Sequence, residues 1–320
     1  MGAKMNNLSL TACSIWIREK KTGKKNDVKI VKLNKKIMGE KKEYNDFFEL
    51  LKDFCEKYSK GFVLNDSEQK MFKVETENIN VEENEKFRYT YIDINSGGYG
   101  IEANIVNTKT NKILYTRKKE HAETIHFRVF FAVPKDDDAC KGIIIFQNIG
   151  QYGIKTITTD YLRKYINDEL NLYTTTGNIC PQVFVKKLLD NDGLMKIIYT
   201  RNNVSNDKAD TETMGYGKEE RIITGFLNVK KWKEKISGYF NGTNRIYEFE
   251  EIDYSGVKFV TSIYGRTRTI NINNINNLSI IEGIPDDVAN SFGDIDDQKL
   301  KEHFIEVTKE YLEHMVYNKI

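Results

Sequence analysis

The chain has 320 residues, of which 39% are hydrophobic and 12% aromatic, and it holds only three prolines. This composition excludes a disordered or collagen-like chain and allows one large folded domain or two ordinary ones. Because 49 Lys and Arg nearly balance 47 Asp and Glu, the net charge of +2 neither supports nor excludes a nucleic-acid partner.

The cysteines and the N-terminus predict a cytoplasmic protein. Cys13, Cys55, Cys140 and Cys180 are far apart, and none forms the Cys-x-x-Cys pair of common zinc sites. Such spacing is typical of reduced, buried thiols. The first residues lack the apolar core of a signal peptide, and no apolar run is long enough to span a bilayer.

In chain order, alternation predicts a first strand over Leu8–Ile17. Asp46 and Glu49 form a capping box for a helix that ends at Gly61. Ser96-Gly97-Gly98-Tyr99-Gly100 predicts a turn, and Asn107–Lys112 the connection of a hairpin. The middle strands are expected at Phe87–Ile94, Gly100–Val106, Ile113–Arg117, Phe127–Val133, Gly142–Gln147 and Leu194–Arg201.

Three further helices are expected. Thr159 is the predicted N-cap of a helix that runs through Leu170, and Pro181 opens a short one through Leu189. A hairpin, Val257–Ile263 and Arg268–Ile272, comes before the closing helix from about Asp297. That last helix carries an apolar stripe of Leu300, Phe304, Val307, Tyr311 and Met315.

Together these elements predict an α+β fold of mostly antiparallel sheets with a few packed helices, in two domains. The polar residues 202–220 suggest the boundary, giving an N-terminal α+β domain over 1–210 and a C-terminal one over 211–320 with the terminal helix.

No recognised active-site motif is present, so we lean against an enzyme and expect no catalytic residue, metal or cofactor. Asp/Glu-x-Lys triplets of the restriction-nuclease kind occur, as at Asp297-Gln298-Lys299, but none lies in an apolar strand after a well-placed acid. The pairs His121/His126 and His303/His314 lack further ligands. A divergent metal-dependent nuclease stays open as an alternative.

The segment Gln147–Lys155 combines polar residues with two glycines between a buried strand and a helix. One interpretation is a strand–loop–helix junction with glycines at positive φ. The other is a loop that contacts phosphate or a partner.

Basic clusters are the strongest functional signal, because Lys and Arg bind phosphates without sequence preference. They lie at Arg18–Lys42, Arg117–Lys119, Lys230–Lys235 and Arg266–Arg268, and Trp232 and Tyr264 add stacking surfaces. We expect the clusters to converge on one DNA-binding groove. The predicted DNA-binding residues are Arg117, Lys118, Lys119, Lys230, Lys231, Lys233, Lys235, Arg266 and Arg268.

The order of elements from Phe127 to Val204 resembles the RexA family of phage-exclusion proteins. An aromatic strand ends in an acidic turn (Phe130–Asp136), a Thr-Asp segment opens a helix (Thr159–Leu162), and Ile179-Cys180-Pro181 precedes another strand. The resemblance implies a cytoplasmic, DNA-binding homodimer of antiphage defence, acting in abortive infection with a small membrane protein. An oligomeric scaffold that uses the Leu300–Met315 stripe is a further alternative.

Overall fold

The computed structural model describes residues 8–19, 29–30, 44–179, 194–204, 216–226, 231–232, 234, 248–249, 252–253, 256–263, 266–272, 278–285, 287–289 and 295–315. Its helices are α1 (Phe47–Ser59), α2 (Lys155–Leu170) and α3 (Asp297–His314). None of the described helices combines the length and the apolar character needed to cross a bilayer. The predicted helix over Pro181–Leu189 lies outside the described residues.

Strands dominate the described chain, and their pairing is mostly antiparallel, which confirms the predicted α+β class. In chain order they are β1 (Leu8–Glu19), β2 (Val63–Asn65), β3 (Lys70–Val74), β4 (Glu82–Glu83), β5 (Phe87–Gly98), β6 (Ala103–Val106), β7 (Ile113–Arg117), β8 (Glu123–Pro134), β9 (Lys141–Ile149), β10 (Tyr152–Gly153), β11 (Leu172–Asn178), β12 (Leu194–Val204), β13 (Tyr216–Thr224), β14 (Glu248–Phe249), β15 (Ile252–Asp253), β16 (Gly256–Ile263), β17 (Arg266–Ile272) and β18 (Leu278–Gly283).

The chain divides into two compact units, but not at the predicted place. The N-terminal unit comprises Cys13–Gly177, and the C-terminal unit comprises Asn178–Met315 with the described residues up to Ala12. Strands β12 and β13 pair from Lys196↔Thr224 to Val204↔Tyr216, so strands on both sides of the expected boundary at 210/211 belong to one unit. The polar residues that connect two paired strands have the same composition as a linker between domains. The sequence alone therefore does not distinguish a connection within one unit from a boundary between two units.

The N-terminal unit is a sheet packed against α1 and α2. Its strand order is β1–β9–β8–β5–β3–β2, with β1 contributing Cys13–Glu19. Apolar residues of both helices and of the sheet form one buried cluster. Within it, the rings of Phe54 and Tyr165 meet edge to face with centroids 5.7 Å apart, and this contact joins the two helices.

Helix α1 begins where the sequence predicts. The Asp46 carboxylate accepts hydrogen bonds from the amides of Phe48 (2.8 Å) and Glu49 (3.0 Å). Glu49 completes only half of the expected capping box, because its carboxylate accepts from the Asn45 amide (2.7 Å) and not from that of Asp46.

Helix α2 begins four residues before the predicted N-cap. Its N-cap is Ile154, which offers no side-chain hydrogen bond, and Thr159 lies inside the helix, where its hydroxyl donates to the Thr156 carbonyl at 3.0 Å. The prediction of Thr159 as a cap is therefore wrong. A threonine within a helix can return its hydroxyl to the preceding turn, so the residue type alone does not locate a helix start.

The C-terminal unit has the strand order β13–β12–β16–β17–β18–β1, with β1 contributing its first residues. The hairpin of β16 and β17 is confirmed by the pairing from Val257↔Ile272 to Ile263↔Arg266. In α3, Leu300, Phe304, Val307 and Tyr311 are buried. The apolar stripe is therefore core of its own unit, which counts against its use as the docking surface of a scaffold.

Candidate nucleic-acid interface

A two-stranded ribbon extends the end of the longest strand pair of the N-terminal unit. Strands β5 and β8 pair over twelve positions, from Phe87↔Pro134 to Gly98↔Glu123. Between Gly98 and Glu123 the chain forms β6 and β7, which among the strands that the structure describes pair only with each other, as predicted for this hairpin. We call residues Ile101–Lys119 the ribbon.

Local hydrogen bonds form the tip of the ribbon. The Asn107 side-chain oxygen accepts from the amides of Lys109 (2.9 Å) and Thr110 (3.0 Å), an Asx turn that asparagine favours. The Asn111 amide donates to the Asn107 carbonyl at 2.8 Å, and Asn111 takes the left-handed conformation at φ 55°. The tip therefore has a defined conformation, although a two-stranded hairpin alone is only marginally stable.

Close backbone approach anchors the root of the ribbon. The Gly100 amide donates to the Lys119 carbonyl at 2.8 Å, at a φ of 92° that favours glycine. A Cβ on Gly97 would stand 1.6 Å from the Glu123 carbonyl oxygen. Of the turn expected at Ser96–Gly100, residues Ser96–Gly98 instead form the end of β5. The absence of a side chain at Gly97 allows β5 and β8 to approach closely there.

The ribbon exposes apolar side chains on its strands. Half of the large apolar side chains that are exposed among the described residues lie between positions 101 and 115: Ile101, Ile105, Val106, Ile113, Leu114 and Tyr115. Directly paired residues share a face, so Ile105 lies beside Tyr115. A concentration of exposed apolar surface in one element marks an interaction site.

The same ribbon is strongly cationic. From Ala103 to Lys119 the sequence contains five cations and no Asp or Glu: Lys109, Lys112, Arg117, Lys118 and Lys119. All four lysines are exposed. Arg117 is half-buried, and its guanidinium donates to the Glu123 carboxylate at 3.1 Å and to the Ile101 carbonyl at 3.3 Å. In a chain with nearly balanced charge, this segment is a local concentration of positive potential.

The ribbon contains one predicted basic cluster and two further lysines that the prediction did not name. Arg117, Lys118 and Lys119 lie at the end of β7, as part of the ribbon. Lys109 and Lys112 were missed because they form no run in sequence. The signal that would have found them is the absence of acids over the whole hairpin.

Arg268 is a correction, because it cannot contact DNA. It is 0% exposed, and its Nε donates to both carboxylate oxygens of Glu282, at 3.0 and 2.9 Å. Its Nη2 also donates to Glu310 at 2.5 Å. A guanidinium that is enclosed and neutralised by two carboxylates has no donor directed to a phosphate, so Arg268 holds β17, β18 and α3 together.

The other predicted cations are only partly described. Lys231 is exposed in the C-terminal unit, whereas Lys230, Lys233 and Lys235 and the side chain of Arg266 lie outside the described residues. Trp232, expected as a stacking surface, packs edge to face on Phe226 with centroids 5.5 Å apart. Convergence of the basic clusters on one groove stays a prediction.

A cleft of about 450 Å³ lies at the foot of the ribbon. Its walls come from the ends of β5 and β8, from the start of β3, and from residues 151–154 between β9 and α2. Gly150, just before that loop, has a φ of 60°, as the junction interpretation expects, whereas Gly153 does not adopt a positive φ. The loop also lines a cavity, as the ligand-contact interpretation expects, so the two are compatible.

The described residues hold no group of three or more His, Cys, Asp or Glu side chains that could bind a metal ion. His126 lies against Asp93, with Nε2 3.4 Å from Oδ1, and Asp138 in the acidic turn pairs with Lys29. These polar residues have protein partners in the structure.

A scan against models of known protein families found no match, and a search of the curated proteins found none either.

Proposed function

We propose that the ribbon is a nucleic-acid-binding arm and that the protein binds DNA without sequence preference. The observation that carries the proposal is the coincidence, on one exposed ribbon, of five cations against the single acid Glu102 and of six exposed apolar side chains. Cations supply affinity by neutralising phosphates and releasing counterions. The apolar side chains supply surfaces for the sugar, the thymine methyl group or an unstacked base step.

The dimensions of the ribbon suit a DNA groove. At about 3.4 Å per residue, the five residues of β7 extend over roughly 17 Å. A two-stranded β-ribbon fits the major groove of B-DNA, which is about 12 Å wide. Cations at the tip (Lys109, Lys112) and at the root (Lys118, Lys119) would then face the phosphates at both ends of the contact.

The arrangement favours a nucleic acid over an anionic membrane, the other partner that attracts cations and apolar residues. A ribbon that inserts into lipid needs its apolar residues at the tip, since the tip enters first. Here the tip, Asn107–Lys112, is polar and cationic, and the apolar side chains lie along the strands behind it. Such a tip suits a hydrated groove.

The wider role that we propose is antiphage defence in the cytoplasm. The likeness of residues 127–204 to the phage-exclusion family supports this role, together with a homodimer and a small membrane protein as partners. Non-specific DNA binding by the ribbon is compatible with that role, because the resemblance also implies a DNA-binding protein.

Fluorescence anisotropy with a labelled duplex of about 20 base pairs tests the arm. The logarithm of the binding constant should fall with the logarithm of salt concentration at about 0.9 per neutralised phosphate, so contacts by the four exposed lysines give a slope near −3.6. The variant Lys109→Gln/Lys112→Gln should bind more weakly and reduce the slope by about 1.8. The matched control is Lys52→Gln/Lys60→Gln, which removes two exposed lysines from helix α1 and its C-cap and should leave the slope less affected.

An unchanged slope in the ribbon variant would refute the arm. Co-sedimentation with phosphatidylserine vesicles is the second measurement: vesicle binding that depends on the same lysines, without duplex binding, would replace the nucleic acid by a membrane. Gel analysis of the duplex after incubation with Mg²⁺ tests the nuclease alternative, since cleavage would show catalysis in addition to binding.

A further inference from the structure

The cleft at the foot of the ribbon has the size and lining of a site for one planar, charged molecule. Its volume of about 450 Å³ falls within the roughly 300–1,000 Å³ of small-molecule sites. Its apolar lining comes from Ile101, Ile125, Phe127 and Ile154, of which Phe127 and Ile154 are buried. Gly97 and Gly153 also line it and contribute no side chain, which leaves room for a flat ring.

Aromatic and cationic side chains also line the cleft. Tyr152 is 51% exposed on the short β10, and Tyr99 is oriented by a hydrogen bond from its hydroxyl to Asp66 at 2.7 Å. Lys70 and Arg117 add two cations, each paired with one carboxylate: Lys70 lies 3.3 Å from Glu68, and Arg117 pairs with Glu123, the one acid among the lining residues. An aromatic surface next to cations is the combination that binds a base and its phosphate.

The pairing of Arg117 with Glu123 leaves the guanidinium available to a ligand. Arg117 has a side-chain exposure of only 14%, whereas that of Glu123 is 71%. Because an ion pair at the surface contributes little free energy, separating the exposed Glu123 carboxylate from Arg117 costs little. A phosphate can replace it and form a charge-assisted pair with the already oriented guanidinium.

We propose that this cleft receives a single unpaired nucleotide, with its base on Tyr152 and the apolar lining and its phosphate on Arg117 and Lys70. The inference rests on the proposed function, because the ribbon would hold a strand next to the cleft. It extends that function from duplex binding to recognition of an unpaired base at a flap or bulge.

Isothermal titration with deoxyadenosine monophosphate, deoxyribose 5-phosphate and inorganic phosphate separates the base from the phosphate. The nucleotide should bind about 5- to 150-fold more tightly than deoxyribose 5-phosphate, the range that stacking of one base gives. Tyr152→Ala should abolish this preference. Tyr173→Ala removes a tyrosine of similar exposure outside the cleft, and this variant should keep the preference for the nucleotide. Glu123→Gln should tighten binding of all three ligands, because it removes the carboxylate that competes for Arg117.

Equal affinity for the nucleotide and for deoxyribose 5-phosphate would overturn the inference, as would unchanged binding in Tyr152→Ala. Because Tyr152 and Glu123 are exposed, their substitution leaves the core intact, and thermal unfolding of each variant verifies this. Failure of the cleft is distinguishable from failure of the ribbon. Duplex binding without nucleotide binding refutes the cleft alone, and nucleotide binding without duplex binding refutes the arm.

Discussion

Replacement of Arg268 by methionine should destabilise the C-terminal unit strongly without weakening DNA binding by the folded protein. Methionine retains an unbranched apolar stem but removes the charge. Glu282, whose side chain is 1% exposed, would keep the hydrogen bond from the Tyr311 hydroxyl (3.0 Å) and lose its cation. Removal of one partner of a buried ion pair costs about 3–5 kcal/mol, because the other charge stays buried without compensation. This is a large part of the roughly 5–15 kcal/mol that stabilises a typical domain.

A second substitution tests whether the loss comes from the buried charge. In Arg268→Met/Glu282→Met both partners become apolar, and Glu310, with a side-chain exposure of 24%, can reach water. Replacing both partners of a buried pair is often neutral or stabilising, so the double variant should recover most of the loss.

Urea denaturation at pH 7, followed by far-UV circular dichroism, measures all three variants of this cycle: Arg268→Met, Glu282→Met and the double variant. If Arg268→Met does not fold at all, recovery in the double variant still supports the reasoning. A cost below about 1 kcal/mol for Arg268→Met would contradict the burial argument. A folded double variant whose salt-dependent DNA binding is lost would restore Arg268 as a DNA contact.

Two further predictions concern the N-terminal unit. Gly97→Ala should lower its stability by about 1–3 kcal/mol, because the new Cβ would meet the Glu123 carbonyl oxygen, while Gly61→Ala, with open space around it, should change stability by less than about 0.5 kcal/mol. Equal thermal midpoints for the two variants would contradict the close approach of β5 and β8. Burial raises the pKa of the Cys13 and Cys55 thiols to about 12, so at pH 8 only about one in ten thousand of each is the reactive thiolate. Iodoacetamide should therefore alkylate these two cysteines only in urea, and peptide mass spectrometry showing rapid native labelling would refute their burial.

Elements whose signals are local could be predicted from the sequence. The Asp46 cap fixes the start of α1, and the Asn107–Lys112 connection fixes the hairpin of the ribbon, because in both cases the deciding hydrogen bonds join residues a few positions apart. The α+β class also follows from local periodicity, since alternating strands outnumber helical segments.

Features that depend on distant partners could not be predicted. Arg268 lies in the basic triplet Arg266–Arg268, which predicts a surface cation. Its partners Glu282 and Glu310 are 14 and 42 residues away in sequence, so the pattern around Arg268 does not reveal them. Likewise, alternation predicts that β6 and β7 are strands, yet it does not show whether a strand lies in the main sheet or in a projecting ribbon. The cleft combines a part that the sequence predicts with a part that it does not. Its loop at residues 151–154 was identified by its glycines, whereas Gly97 and Arg117 come to the cleft only through the fold.

Photo-crosslinking from the ribbon tests the central claim most directly. A benzophenone amino acid at Leu114, which is 65% exposed on the ribbon, places a reactive group where the duplex should lie, and the same group at Tyr173, 58% exposed on β11, serves as the control. Irradiation with labelled duplex at low salt should give a covalent adduct from position 114 that disappears as salt is raised, and little adduct from position 173. Adducts from position 173 without adducts from position 114 would show that DNA binds elsewhere and would contradict the ribbon as the interface.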